Sequence, residues 1–356
     1  MAVKTDAEMI HFGWFIPTAG DTTAFGVPSA TTPPSLELFE RVAKAAESAG
    51  FEYALVPVQT ACYEAWITCA MIAARTESLK LLVAARPGYI KPHMMAKMVS
   101  TFDQLSGGRV CVNLIAGPGG TEEAAEGSFI AHDDRYALMD ETVEVMKRLW
   151  TAKGPFDFEG DFNRLEGATI RPKPAQTPHP PFYIGGVSPS AMEVCGKHAD
   201  VFLAWLDTPE MVGERFRAAR EAAARHGRED ELKLGVRAQV LIRDTEEEAW
   251  QAAEALIAQT TAGARTSRES MWPESEADTR MVDLAAGESW RIGRHLWAGL
   301  TSIRPGAGVL IVGTGEQVAD TIQEYVDLGA TSFCLSGYPH DEAAERFGRE
   351  VIPRFR

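Results

Sequence analysis

At 356 residues, with 45% hydrophobic and 24% charged side chains, the chain is long enough for two average domains or one large α/β barrel, with ample apolar residues for a core. Its formal charge of −15 argues against a nucleic-acid partner, though local arginines can still bind a small anion. No basic-then-apolar leader opens the sequence and no apolar run reaches about 18 residues, so a cytoplasmic protein without a membrane span is expected.

Strand and helix patterns alternate along the chain. His11 to Pro17 reads as a first strand and Leu36 to Gly50 as a helix stopped by glycine. Strand Tyr53–Val58, helix Glu64–Arg75, strand Leu79–Ala85, helix His93–Leu105 and strand Arg109–Ala116 follow. A long helix runs from Arg135 to Ala152, and the Pro- and Gly-rich stretch 154–181 reads as a hairpin or insertion. The second half gives strand Phe182–Ile184, helix Ser190–Ala199, strand Asp200–Trp205, helix Pro209–His226, strand Leu232–Ile242 and helix Glu246–Gln259. Residues 260–289 are polar and weakly periodic, which inside a compact fold marks a functional lid or a disordered segment. Arg291–Leu300, a short run Val309–Val312, helix Glu316–Leu328 and a last strand through Phe333–Leu335 complete the chain. Eight strands alternating with helices, with no charged linker between them, favour a single (β/α)8 TIM-barrel domain over 1–356; a doubly wound sheet is the alternative.

Candidate chemistry lies where strands end. Ser336-Gly337-Tyr338-Pro339-His340 delivers a phenol and an imidazole at the tip of the last strand, either for anion binding and proton movement or as an ordinary turn. Gly185-Gly186-Val187-Ser188 ends another strand just before a helix, where free N–H groups and a hydroxyl suit a phosphate; a tight turn with a helix cap is the plainer reading. His132-Asp133-Asp134-Arg135-Tyr136 fits a solvated helix start better than a metal site, and Arg135 with Tyr136 can reach a cofactor phosphate. Arg237 and Gln239 share one strand face, where a buried charge needs either an internal ion pair or an anionic ligand. Arg304 sits in a Gly-rich loop and suits capture of an oxyanion, and Trp205 ends a strand as a wall or as core. Gly313-Thr314-Gly315 lacks the third glycine of a dinucleotide fingerprint and reads as an ordinary βα turn. The five cysteines (Cys62, Cys69, Cys111, Cys195, Cys334) form no CxxC pair, which suits free thiols, and Cys62 has no local histidine to make it a nucleophile.

Six blocks in order resemble the bacterial luciferase-like flavin barrels, and within them the two-component alkanesulfonate monooxygenases: Trp14–Thr18, Cys62–Trp66, Asp103–Arg109, Pro180–Gly186, Leu296–Gly299 and Ser336–His340. The resemblance covers almost the whole chain. It implies reduced FMN supplied by a separate NAD(P)H-dependent flavin reductase, O2 as co-substrate, a small anionic sulfonate as substrate, and sulfite plus an aldehyde as products. It also implies a homodimer or homotetramer, and no metal. Asn113, Arg135, Tyr136, Gly186, Ser188 and Cys62 match flavin-side positions; Arg237, Arg304, Tyr338, His340 and Trp205 match the sulfonate side, with residues 260–289 as the mobile lid. Two departures stand out. Ala19 and Gln239 occupy positions where the family usually has histidine, which shifts the expected substrate from a simple alkanesulfonate toward a polyhydroxylated one such as sulfoquinovose. A deazaflavin (F420)-dependent oxidoreductase, or a non-catalytic flavin-binding relative, on the same barrel are the alternatives.

Overall fold

The computed structural model describes residues 9–261, 275–287 and 289–356, so much of the expected lid at 260–289 lies outside the described residues. Apolar runs bounded by Gly, Pro or Asp form eight parallel strands: β1 (His11–Phe15), β2 (Tyr53–Val56), β3 (Lys80–Ala85), β4 (Val110–Leu114), β5 (Phe182–Ile184), β6 (Val201–Trp205), β7 (Lys233–Ile242) and β8 (Ala330–Ser336). Each pairs with the next, and β8 returns to β1, where Trp14 faces Leu335 on one side and Ala54 on the other. The ring is closed, and the expected (β/α)8 barrel is the fold. Closure leaves these strands no free edge, which is how a barrel of short strands avoids pairing with a second chain.

The outer helices are α1 (Leu36–Ala49), α2 (Ala65–Ala73), α3 (Pro92–Ser106), α4 (His132–Thr151), α5 (Pro189–His198), α6 (Pro209–Ala224), α7 (Gly315–Asp327) and α8 (His340–Glu350). Local chemistry sets their ends. Ser35 accepts the Leu38 N–H at 3.2 Å to open α1, and Gly50, at φ 91°, closes it in a conformation that disfavours a side chain. Thr314 and Gln317 cap each other reciprocally at the start of α7, so Gly313-Thr314-Gly315 is the ordinary βα turn that its missing third glycine implied. Between strands and helices the core is dominated by large side chains such as Phe12, Trp14, Phe333 and Phe347, each fully buried. Phe12 meets Phe347 edge-on at 5.4 Å, and the Trp14 indole donates to the His340 carbonyl at 3.0 Å, locking β1 to the start of α8.

The short run at Val309–Val312 forms a strand, Leu310–Gly313, that stands outside the ring of eight. The reason lies in β7, which is 10 residues long while β6 accompanies it only from Lys233 to Arg237. Beyond that point the same edge of β7 is taken by Leu310–Gly313, with Gln239 facing Leu310, and Leu296–Trp297 adds antiparallel outside it. This ledge packs its own small core, with Trp250 and Leu256 of helix Glu246–Ile257 against Trp297, Leu300 and Leu310. The polar stretch also contains a helix that its weak periodicity concealed, Glu276–Ala285, whose buried residues are Asp278, Met281 and Leu284. In the 154–181 segment, Phe156–Glu159 pairs antiparallel with Arg164–Ala168. Among the described residues no helix is long and apolar enough to cross a membrane.

Candidate active site

The carboxyl ends of the strands open onto a cavity of about 240 Å³. Its walls include Phe15 from β1, Asn113 from β4, Trp205 from β6 and Arg237 from β7, with Arg304 from the ledge and Met281 from helix Glu276–Ala285 as a roof. This is the face where barrels of this type place their chemistry.

On the β4–β5 side the backbone is shaped as a cradle. Gly186 sits at φ 139°, and a Cβ there would lie 2.5 Å from the Ala191 Cβ and 3.1 Å from the Tyr136 hydroxyl. A Cβ on Gly185 would meet the Leu203 carbonyl oxygen at 2.6 Å. Ser188 caps α5 by accepting the Ala191 N–H at 3.3 Å and also hydrogen-bonds Tyr136. Burial pushes the Tyr136 phenol above its ordinary pKa, against the pull of that Ser188 bond and the Arg135 charge, so the phenol stays protonated. Asn113, Tyr136 and Gly186 therefore meet at one wall. Arg135 turns elsewhere: its Nη1 lies 3.1 Å from Glu123 and donates to the Ile130 carbonyl at 3.0 Å. His132 and Asp133 pair locally at 2.9 Å, and Asp133 accepts the Ser190 hydroxyl, joining the starts of α4 and α5. Among the described residues no cluster of His, Cys, Asp and Glu has a metal-holding arrangement. Cys62 is half-buried outside the cavity wall; burial raises its pKa, and a Thr18 hydrogen bond and the Arg304 charge only partly oppose that.

The β7–β8 side carries the positive charge. Arg237 is buried, donates to the Cys334 carbonyl at 3.3 Å and the Ser336 hydroxyl at 3.0 Å, and lies 4.8 Å above the Phe15 ring. Burial lowers its pKa, the Cys334 sulfur opposes this, and the neighbouring Arg304 charge adds to it; a guanidinium nonetheless stays protonated. Arg304 donates to the Tyr338 hydroxyl. Among the described residues neither arginine has a carboxylate within ion-pair distance, whereas Arg86 is paired to Glu122 and Glu126 and Arg215 to Asp207. His340 does not line the cavity. It is buried edge-on to Tyr338, which lies outside the cavity wall as well, with ring centroids 5.1 Å apart, and its Nδ1 and backbone N–H meet the two Asp21 oxygens at 2.7 and 2.8 Å. Burial raises the Asp21 carboxyl, but the His340 contacts outweigh it and hold the pKa below the ordinary aspartate value. Gln239 is fully buried and donates to the Ala307 carbonyl at 2.8 Å rather than facing the cavity.

Sequence reasoning passed over Arg86, Asp207 and Arg215, and gave no role to Asp21. Arg86 follows β3 by one residue and Asp207 follows β6 by two, so asking which polar residues come directly after each strand would have found both. Asp21 gave no such signal, because its partner His340 is distant in sequence, and Arg215 gave none because it sits within α6 and not at a strand end.

Residues 10–332 match the model of the luciferase-like monooxygenase family. The structure superposes on a riboflavin lyase solved with modified FMN and riboflavin, at a TM-score of 0.80 and 20% identity, covering 97% of this chain and 91% of that one. An EDTA monooxygenase from Chelativorans sp. BNC1 gives 0.79 and 21%, covering 98% and 93%. An F420-dependent secondary alcohol dehydrogenase gives 0.72 and 20%, covering 98% and 99%. At such identities these likenesses speak for the fold. The family match spans nearly the whole barrel, and this chain belongs to the luciferase-like monooxygenases.

Proposed function

We propose that this protein is an FMNH2- and O2-dependent monooxygenase that desulfonates an organosulfonate, releasing sulfite and an aldehyde. The observation that carries the reading is the pair of guanidiniums, Arg237 and Arg304, at a largely apolar cavity with no carboxylate counterpart among the described residues. In a chain of net charge −15, cations beside a cavity, with hydrogen bonds only to neutral groups among the described residues, call for an anionic ligand.

The cradle fits a flavin. Gly185 and Gly186 leave space that a Cβ would fill, Ser188 and Tyr136 offer hydroxyls for the phosphate end, and Asn113 offers an amide on the adjoining wall. Reduced FMN, delivered by a separate NAD(P)H-dependent reductase, supplies the oxygen-transfer chemistry with O2. The chain's own residues do the rest. Arg304 and Arg237 hold the sulfonate and stabilise negative charge as the sulfite leaves. Tyr338 accepts from Arg304 and so steadies that guanidinium from outside the cavity wall, and His340, fixed by Asp21, buttresses the Tyr338 ring. Trp205 forms the side wall, and Ala277 and Met281 roof the cavity against water.

A second copy of the chain is also part of this reading. α2 reads AWITCAMIA, apolar on every face, and its outward stripe Ile67, Ala70, Met71 and Ala74 lies in the open. Met94 and Leu105 of α3 are likewise exposed. Exposed apolar side chains of this kind support a homodimer, with a homotetramer as a further step.

Sulfite release, assayed with reduced FMN and O2 on sulfoquinovose and on short alkanesulfonates, tests the activity. Sulfite from sulfoquinovose supports the sugar substrate; sulfite from alkanesulfonates alone overturns the sugar. No sulfite from any sulfonate, or substrate-dependent hydride transfer to a deazaflavin, overturns the whole reading.

A further inference from the structure

The loop that carries Arg304 is gripped from two places. Arg304, Pro305, Gly306 and Ala307 all line the cavity. The loop is tied at its start, where the Ile303 and Arg304 N–H groups donate to the Leu300 carbonyl at 3.1 and 3.2 Å. Its middle is held by two side chains. The Gly306 N–H donates to Asp278 Oδ1 at 3.1 Å, and the Ala307 carbonyl accepts from Gln239 Nε2 at 2.8 Å. Both side chains are almost fully buried, Asp278 at 2% exposure and Gln239 at 0%. Burying a carboxylate or an amide is costly unless its hydrogen bonds are made, so such contacts are kept where they fix something.

Asp278 belongs to the roof helix Glu276–Ala285, and that helix is itself fastened to the barrel. Arg280 donates to both oxygens of the fully buried Asp207, from Nε at 2.9 Å and from Nη2 at 3.1 Å. Asp207 follows β6 and also receives Arg215 at 3.0 Å. The roof, the end of β6 and the Arg304 loop are thus joined through two aspartates. Gln239 makes the corresponding tie from β7, inside the wall.

We propose that Asp278 and Gln239 are positioning residues for Arg304, so that the anion-binding guanidinium is set in place only while the roof helix is docked. This rests on the reading of Arg304 as an anion-binding group. It gives Gln239 a different task from direct substrate contact: its amide selects the position of the Arg304 loop. It also makes capture of the anion and docking of the roof one event, because each stabilises the arrangement the other needs.

The test uses the full-length protein without flavin, with two readouts. Hydrogen exchange follows peptides covering residues 300–310, and tryptophan fluorescence follows titration with hexanesulfonate, since Trp205 lines the cavity. Asp278→Ala and Gln239→Leu are expected to speed exchange in that segment and to weaken hexanesulfonate binding by about tenfold, while Asp278→Asn, which keeps an acceptor oxygen, stays near wild type. In an Arg304→Ala background the same changes are expected to weaken binding no further. Unchanged exchange at 300–310, or equal weakening with and without Arg304, overturns the positioning role. Should Asp278→Ala fail to fold, Gln239→Leu and Asp278→Asn carry the comparison. Wild-type protein that ignores hexanesulfonate and sulfoquinovose alike while exchange responds as expected overturns the sulfonate reading and leaves the loop clamp standing.

Discussion

Single residues divide into those that face the cavity and those that hold them. Arg304 faces it, and removing its donors should cost on the order of 10²–10³-fold in kcat/KM, equivalent to roughly 3–4 kcal/mol. Arg304→Ala should keep a wild-type circular dichroism spectrum; near-normal sulfite release from it would show that the sulfonate is held elsewhere. Asp21 is of the second kind. Its carboxyl is held below the ordinary 3.8, so its charge favours the folded state fully above about pH 4, and that favour is lost as pH falls through the lowered value. Asp140, paired to Lys197 and His198 and lowered to about 2, adds a loss in the same direction over the same acid range. Asp21→Asn should therefore lower Tm at neutral pH and flatten the fall in Tm below pH 4, read from melts across that range; parallel curves for variant and parent would remove Asp21 from the acid limb. The structure brings Arg237, expected from its strand face, and Arg304, expected from its Gly-rich loop, to one cavity. That His340 stands edge-on to Tyr338 was not legible, because its partner Asp21 comes from the other end of the chain.

Elements were legible where a pattern was long and its ends were capped. α1 announces itself through an amphipathic run between Ser35 and Gly50, and the barrel strands through short apolar runs. Helix Glu276–Ala285 did not, because its buried face includes Asp278, a residue type that sequence patterns assign to solvent. Leu310–Gly313 was visible as a strand but not as an outrigger, since nothing local says which edge of which neighbour it takes. The turn between β5 and α5 offers a sharp test. Gly186→Ala places a methyl between Ala191 and the Tyr136 hydroxyl at a φ that L-residues avoid, so FMN binding should weaken by at least tenfold, about 1.4 kcal/mol, while the secondary structure persists. Unaltered FMN affinity by flavin fluorescence would place the phosphate away from this cradle.

For the molecule as a whole, alternation gave the barrel because parallel strands joined by helices have few other ways to bury both faces. It was silent on assembly, which depends on the outer surface. Ile67 is 69% exposed and Met71 40%, on a helix with no polar face to turn outward. Ile67→Lys with Met71→Lys should convert a dimer to monomers in light scattering while leaving the Tm of the barrel within a few degrees; an unchanged mass would place the partner on another surface.

The length of β7 has a further consequence. Its lower half completes the barrel and its upper half bears the ledge, so two jobs that compete in a short strand are separated along one. The strands Leu310–Gly313 and Leu296–Trp297 are added to the sheet through that upper half, and the ring closes without them. Such a ledge is a graft site: an exchanged block that keeps the pairing of Gln239–Ile242 with Leu310–Gly313 would carry in a new cavity wall, including its own arginine, while the glycine cradle between β5 and α5 stays untouched. Diversification of substrate within one scaffold then needs only a splice at two points on the same strand–helix connection.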